Sequence, residues 1–183
     1  MGIIFEGKHI IKAPIQKVWD SMFDLDMITA CVPGCEKVEM IDEKTYESIV
    51  SAQVGPVTAR FQSTTTLVKV DPPRHIKAIG KGKDLNKAGN FKQETVVDLK
   101  EISDDEVEIA YRSDVSIVGR LATFGDRIMI AKARQVEKEV LDAYNKRLSG
   151  EKATAAKIEV GIWELLIAFI GGIWVKIMNA FKG

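Results

Sequence analysis

From Glu36 to Ile117 the chain is a succession of β-type runs divided by short turn signals, and this stretch limits the fold more than any other. Lys37–Ile41 and Tyr46–Val54 flank Asp42-Glu43-Lys44, Val57–Val70 follows Gly55-Pro56, and Asp71-Pro72-Pro73 ends that run. His75–Lys83, Phe91–Ile102 and Val107–Ile117 complete the series, with Asp104-Asp105 in the last turn. Runs joined by connections this short pair as antiparallel neighbours, so the stretch predicts a six-stranded meander.

Alternation within the runs selects one face of that sheet. It holds Ala59, Phe61, Ser63, Thr65 and Leu67 in one run, and Phe91, Gln93, Thr95, Val97 and Leu99 in another. The last run adds Val107, Ile109, Tyr111, Val115 and Ile117. Mid-strand on this inner face stand Ser48, Ser63, Thr65, Ala78, Gly80, Thr95 and Ser113, where a close-packed core would carry bulk. Small, weakly polar residues among Phe61, Phe91 and Tyr111 predict a ligand cavity. The other reading is a helix whose large side chains fill the space.

The remaining elements flank the meander. Residues 3–12 read as a first strand. A helix opens at Ala13-Pro14, runs to about Phe23, and lines one face with Ile15, Val18, Trp19 and Met22. A second runs from Asp26 to about Ala30 and stops at Val32-Pro33-Gly34. Both are too short to stand alone and should clip onto the sheet. A long helix, Ala122 to Leu148, would set Phe124, Ile128, Ala131, Val136, Val140, Leu141, Tyr144 and Leu148 on one face. Gly119 and Gly125 near its start allow a bend. The expected cavity lining is thus Phe61, Ser63, Thr65, Phe91, Thr95, Tyr111 and Ser113 from the sheet, with Phe124, Ile128 and Ala131 from the helix. Arg120, Arg127, Lys132 and Arg134 make this end basic, as a solvated face or as a docking patch for an acidic partner or lipid headgroups.

Ser149 to Lys157 is small and polar, a linker. Beyond it, residues 158–183 read as an amphipathic helix. Trp163, Leu166, Ile170, Ile173, Ile177 and Phe181 follow one another at helical spacing, flanked by Ile167 and Trp174. Glu164 and Lys176 interrupt the run too soon for a membrane span, which needs about 18–20 residues nearly free of charge. The apolar stripe fits the membrane surface, with a partner protein, a second copy or the chain's own domain as the alternatives. Three segments follow: a domain over 1–148, a linker over 149–157 and a membrane-interacting tail over 158–183.

Lysine plus arginine and aspartate plus glutamate both number 26, so nothing in the charge points to nucleic acid. Cys31 and Cys35 have neither zinc-knuckle nor C-x-x-C spacing and read as packing residues, with a disulfide or metal role as lesser alternatives. The N-terminus lacks the charged lead and apolar run of a signal peptide, so the expected location is the cytoplasm. No nucleophile elbow, phosphate loop, zinc motif or dinucleotide fingerprint occurs. His9 and His75 fall in β context and are expected at the surface, and the inward faces carry no acid or base. The expected sets of catalytic and metal-binding residues are therefore empty.

The order of elements resembles the helix-grip fold of the SRPBCC (START/Bet v 1-like) superfamily, of class α+β. Ala30-Cys31-Val32-Pro33-Gly34-Cys35-Glu36 is similar to the signature of the CoxG family of carbon monoxide dehydrogenase. Val54-Gly55-Pro56-Val57, Asp71-Pro72-Pro73 and Gly119-Arg120-Leu121-Ala122 agree in order and spacing. The resemblance spans residues 1 to about 148. It implies a non-catalytic accessory protein of a molybdenum carbon monoxide dehydrogenase-type hydroxylase, peripheral at the inner face of the cytoplasmic membrane, whose cavity holds an apolar ligand. Together with the tail, it makes a bound quinone or other isoprenoid lipid the expected ligand. A membrane-recruitment adaptor with a filled core is the competing class, and a cavity enzyme is the third.

Overall fold

The computed structural model describes residues 2–54, 57–87 and 89–149. The elements are β1 (Gly2–Ile11), α1 (Ile15–Ser21), α2 (Leu25–Cys31), β2 (Cys35–Met40), β3 (Thr45–Val54), β4 (Val57–Asp71), β5 (His75–Asp84), β6 (Gly89–Ser103) and β7 (Glu106–Gly119). A 3-10 turn, Arg120–Phe124, then leads into α3 (Gly125–Leu148). All strand pairs are antiparallel, in the order β1-β7-β6-β5-β4-β3-β2. The expected meander is present, and the first strand closes against the last, with Gly2 opposite Ser116 and Ile11 opposite Val107. The result is an α+β, Bet v 1-like fold in which a seven-stranded sheet packs on a long C-terminal helix.

Alternation drives this packing. Along β6 the residues Phe91, Gln93, Thr95, Val97 and Leu99 are all buried, whereas Lys92, Glu94 and Asp98 are exposed. Burial on one face of β4 likewise runs Ala59, Phe61, Ser63, Thr65 and Leu67. The concave side holds two apolar clusters. One gathers Ile3, Phe5, Phe61, Phe91, Val115, Ile117 and Leu121 with Met129, Ala133, Val136 and Val140 of α3. The other centres on Trp19 and Phe23, whose rings meet edge to face at 5.0 Å, with Ile11, Tyr46, Leu67, Val97, Leu99 and Val107.

The short helices clip onto the sheet as expected, with adjusted ends. Pro14 is the N-cap of α1 (φ −58°, ψ 145°), just before the first turn. α2 begins at Leu25 because the Asp24 carboxylate caps it, accepting from the backbone N–H groups of Asp26 (2.9 Å) and Met27 (3.1 Å). Cys31 is buried and Cys35 partly so, both as free thiols. Burial pushes the Cys31 thiol up to about 11, so it stays protonated and packs against the Met27 sulfur.

One expectation is overturned at α3. Ile128 is 51% exposed and Ala131 is also exposed, while Met129, Ala133, Val136, Glu137, Val140 and Leu148 are buried. The cause lies in the 3-10 turn. Gly119 and Gly125, at φ 98° and 76°, bracket it, so Phe124 does not set the phase of the helix that follows. No helix among the described residues is long and apolar enough to cross a membrane. The linker from residue 150 onward, the tail and the Gly55-Pro56 turn lie outside the described residues.

Candidate functional site

The site is the concave face of the sheet beneath α3. Strand register arranges its residues in cross-strand rows. One row runs Ser48, Ser63, Gly82, Phe91 and Ile117. The next runs Tyr46, Thr65, Gly80, Gln93 and Val115, and a third Leu67, Ala78, Thr95, Ser113 and Phe5. Every residue in these rows is buried. The central strands thus present hydroxyls, a carboxamide and two glycines where aliphatic side chains would otherwise meet the helix.

Some of these polar groups satisfy one another. The Thr95 and Ser113 hydroxyls are 2.7 Å apart, and Gln93 Nε2 donates to Thr95 Oγ1 at 3.5 Å. The Ser63 hydroxyl, on a residue 1% exposed, has no hydrogen-bond partner. A buried hydroxyl left this way costs about 1–3 kcal/mol. Part of the row is filled by aromatic bulk. Phe61 and Phe91 meet edge to face at 5.4 Å, and a Cβ added at Gly82 would run into the Phe91 ring. Gly82 is therefore needed for the ring's position.

Of the residues expected to line the cavity, Phe61, Ser63, Thr65, Phe91, Thr95 and Ser113 lie together on this face, all buried. Tyr111 and Phe124 are half-buried against the first cluster. Ile128 and Ala131 point to solvent and do not join them.

The structure adds a group of polar residues whose sequence positions give no hint that they meet. Glu137 of α3, 5% exposed, faces β1 and β7. Its Oε1 accepts from Tyr111 Oη at 2.5 Å and lies 2.6 Å from His9 Nε2, while Arg134 Nη1 donates to Oε2 at 2.9 Å. Arg134 also donates to the Glu6 carbonyl at 3.0 Å, tying the helix to the edge strand. Tyr111 reaches the carboxylate across Gly7, where an added Cβ would lie 2.7 Å from its hydroxyl. Burial pushes the Glu137 carboxyl up, but hydrogen bonds from Tyr111, Arg134 and His9 and the guanidinium charge outweigh it and hold it below the usual carboxylate range. Burial, and then the Glu137 hydrogen bond, raise the Tyr111 phenol.

This corrects two expectations. His9 belongs to the inward set of β1 and is partly buried on Glu137, and the inward face does carry an acid. His75 is also only partly exposed, with Nδ1 2.7 Å from Asp98. The missed signal for Glu137 is its place four residues after Ala133 and eight after Met129. No cluster of metal-ligating side chains occurs among the described residues.

A family model described as the G-type subunit of carbon monoxide dehydrogenase (CoxG) matches residues 7–149. The chain belongs to the CoxG family. Solved structures place the CoxG-family chain in the same fold. A conserved protein from Geobacillus kaustophilus superposes with a TM-score of 0.75 at 22% identity, covering 81% of this chain and 96% of that one. The ZhuI aromatase/cyclase from Streptomyces sp. R1128 gives 0.60 at 14%, covering 86% and 100%. Ara h 8.0201 gives 0.59 at 12%, covering 82% and 100%. No curated protein matches the chain. At these identities the structural likenesses establish the fold, which hosts unrelated functions.

Proposed function

We propose that this CoxG-family chain is a non-catalytic accessory protein of a molybdenum carbon monoxide dehydrogenase-type enzyme. It binds a lipophilic ligand, a quinone or another isoprenoid lipid, on the concave face beneath α3. Residues 158–183 attach it to the inner face of the cytoplasmic membrane. The observation that carries the reading is the run of buried small and hydroxyl residues across the central strands, with the Ser63 hydroxyl unpartnered. An isoprenoid chain would gain roughly 25 cal/mol per Å² of apolar area removed from water, and a carbonyl head would offer an acceptor to the hydroxyls.

The Glu137 group supports a role without catalysis. A carboxylate held below its usual range stays ionised at neutral pH, whereas a general acid or base works best with a pKa near the operating pH. Its hydrogen bonds instead fasten α3 to β1 and β7.

The competing reading is a recruitment adaptor without ligand. The Phe91 ring pressed on Gly82 favours it, since this part of the face is filled. Native mass spectrometry with lipid extraction, on protein recovered from its own membranes with and without residues 150–183, separates the two. A quinone or isoprenoid on both forms is the expected result. A ligand-free chain that still sediments with membranes leaves the adaptor.

A further inference from the structure

The outer face of the sheet carries a feature that neither the ligand nor the tail explains. Lys81 of β5 stands directly opposite Lys92 of β6, and Lys83 follows Lys81 on the same face. Like charges directly opposite on neighbouring strands are destabilising. All three lysines are exposed, and no carboxylate among the described residues is in ion-pair contact with any of them. The nearest acids are otherwise placed. Glu94, next on this face after Lys92, is held by Lys77 at 2.8 Å; Asp114 lies opposite Glu94; and Glu47 closes one end.

The lysines rim a groove of about 750 Å³ whose remaining lining is rich in hydrogen-bonding groups, among them Gln62, Thr64, Asn90 and Ser116. Charge alone would fit several anions, but the geometry narrows the choice. Alternate residues on a strand stand roughly 6.8 Å apart and opposed residues about 5 Å, so the charges are spread wider than one phosphate. A membrane surface is disfavoured because the groove is concave and Val118 is the one aliphatic side chain lining it. An extended peptide with carboxylates on alternate residues matches the strand spacing, and its backbone would meet the amides and hydroxyls.

We propose that this groove docks an acidic, extended segment of a protein partner. The inference rests on the accessory reading when it identifies that partner as the molybdenum enzyme. The groove lies on the face opposite the ligand site, so docking leaves that site and the tail unobstructed.

The test uses the full chain, a labelled peptide of about ten residues alternating Glu and Gly, and the purified enzyme. Compared are the wild type, the charge-reversed variant Lys81→Glu/Lys83→Glu/Lys92→Glu and the milder Lys81→Gln/Lys92→Gln. The wild type should bind peptide and enzyme, and charge reversal should weaken both by at least about tenfold. The Gln variant should fall between, and salt raised from about 0.05 to about 0.5 M should weaken wild-type binding. An unchanged enzyme affinity in both variants overturns the groove and leaves the accessory reading standing. Peptide binding through the lysines with no enzyme binding supports the groove and removes the enzyme as its partner. A wild type that binds pyrophosphate or anionic phosphatidylglycerol vesicles through these lysines, but not the peptide, overturns the proposal.

Discussion

Glu137 is the residue whose removal should be felt furthest. Glu137→Gln keeps the volume, removes the charge that Arg134 and His9 face, and should cost roughly 2–4 kcal/mol of stability, read from urea unfolding. The same residue sets a pH dependence. Its folded carboxyl titrates below the unfolded one, so the unfolded chain binds more protons in the acid range. The stabilisation is therefore complete above the unfolded value, about 4.3, and is lost as pH falls through the lower folded value. Acid unfolding of the wild type should be steeper in that window than that of Glu137→Gln, and equal slopes would remove the carboxylate from this role. Cys31 gives a second residue-scale test. Buried and with its thiol raised to about 11, it should react with iodoacetamide at pH 8 less than about one-tenth as fast as in the unfolded chain.

Among the elements, α3 decides how the sheet is covered. Met129→Ala empties a fully buried position and should cost about 2–5 kcal/mol, whereas Ile128→Ser should stay within about 0.5 kcal/mol. Paired urea midpoints check both, and the reverse order would restore the phase read from Phe124. The strands were legible because a period of two survives errors at their ends: every inward residue expected on β4 and β6 is buried. The helix was less so, since one residue of slip rotates a face by about 100° and two positive-φ glycines supply that slip. The Glu137 group was hidden for a related reason. His9, Tyr111 and Glu137 come from three elements, and sequence spacing records no proximity between them.

At the scale of the molecule, the clusters on the concave face and the pairing of β1 with β7 draw on residues up to Leu148. Removing residues 150–183 should therefore leave the thermal midpoint within about 3 °C while abolishing sedimentation with liposomes. A truncated chain that unfolds early would place the tail in the core instead. The resemblance carried by the Cys31–Cys35 segment anticipated the family, while ligand and partner depend on contacts that no spacing encodes.

The pairing of the first strand with the last also shapes the life of the nascent chain. Gly2 meets Ser116 and Phe5 meets Ser113, so β1 has no strand to pair with until β7 has left the ribosome. At about 5–20 residues per second, that wait lasts roughly 5–20 s. Throughout it, Ile3, Ile4, Phe5, Ile10 and Ile11 travel as an unpaired apolar strand, a natural client for a chaperone that holds extended segments.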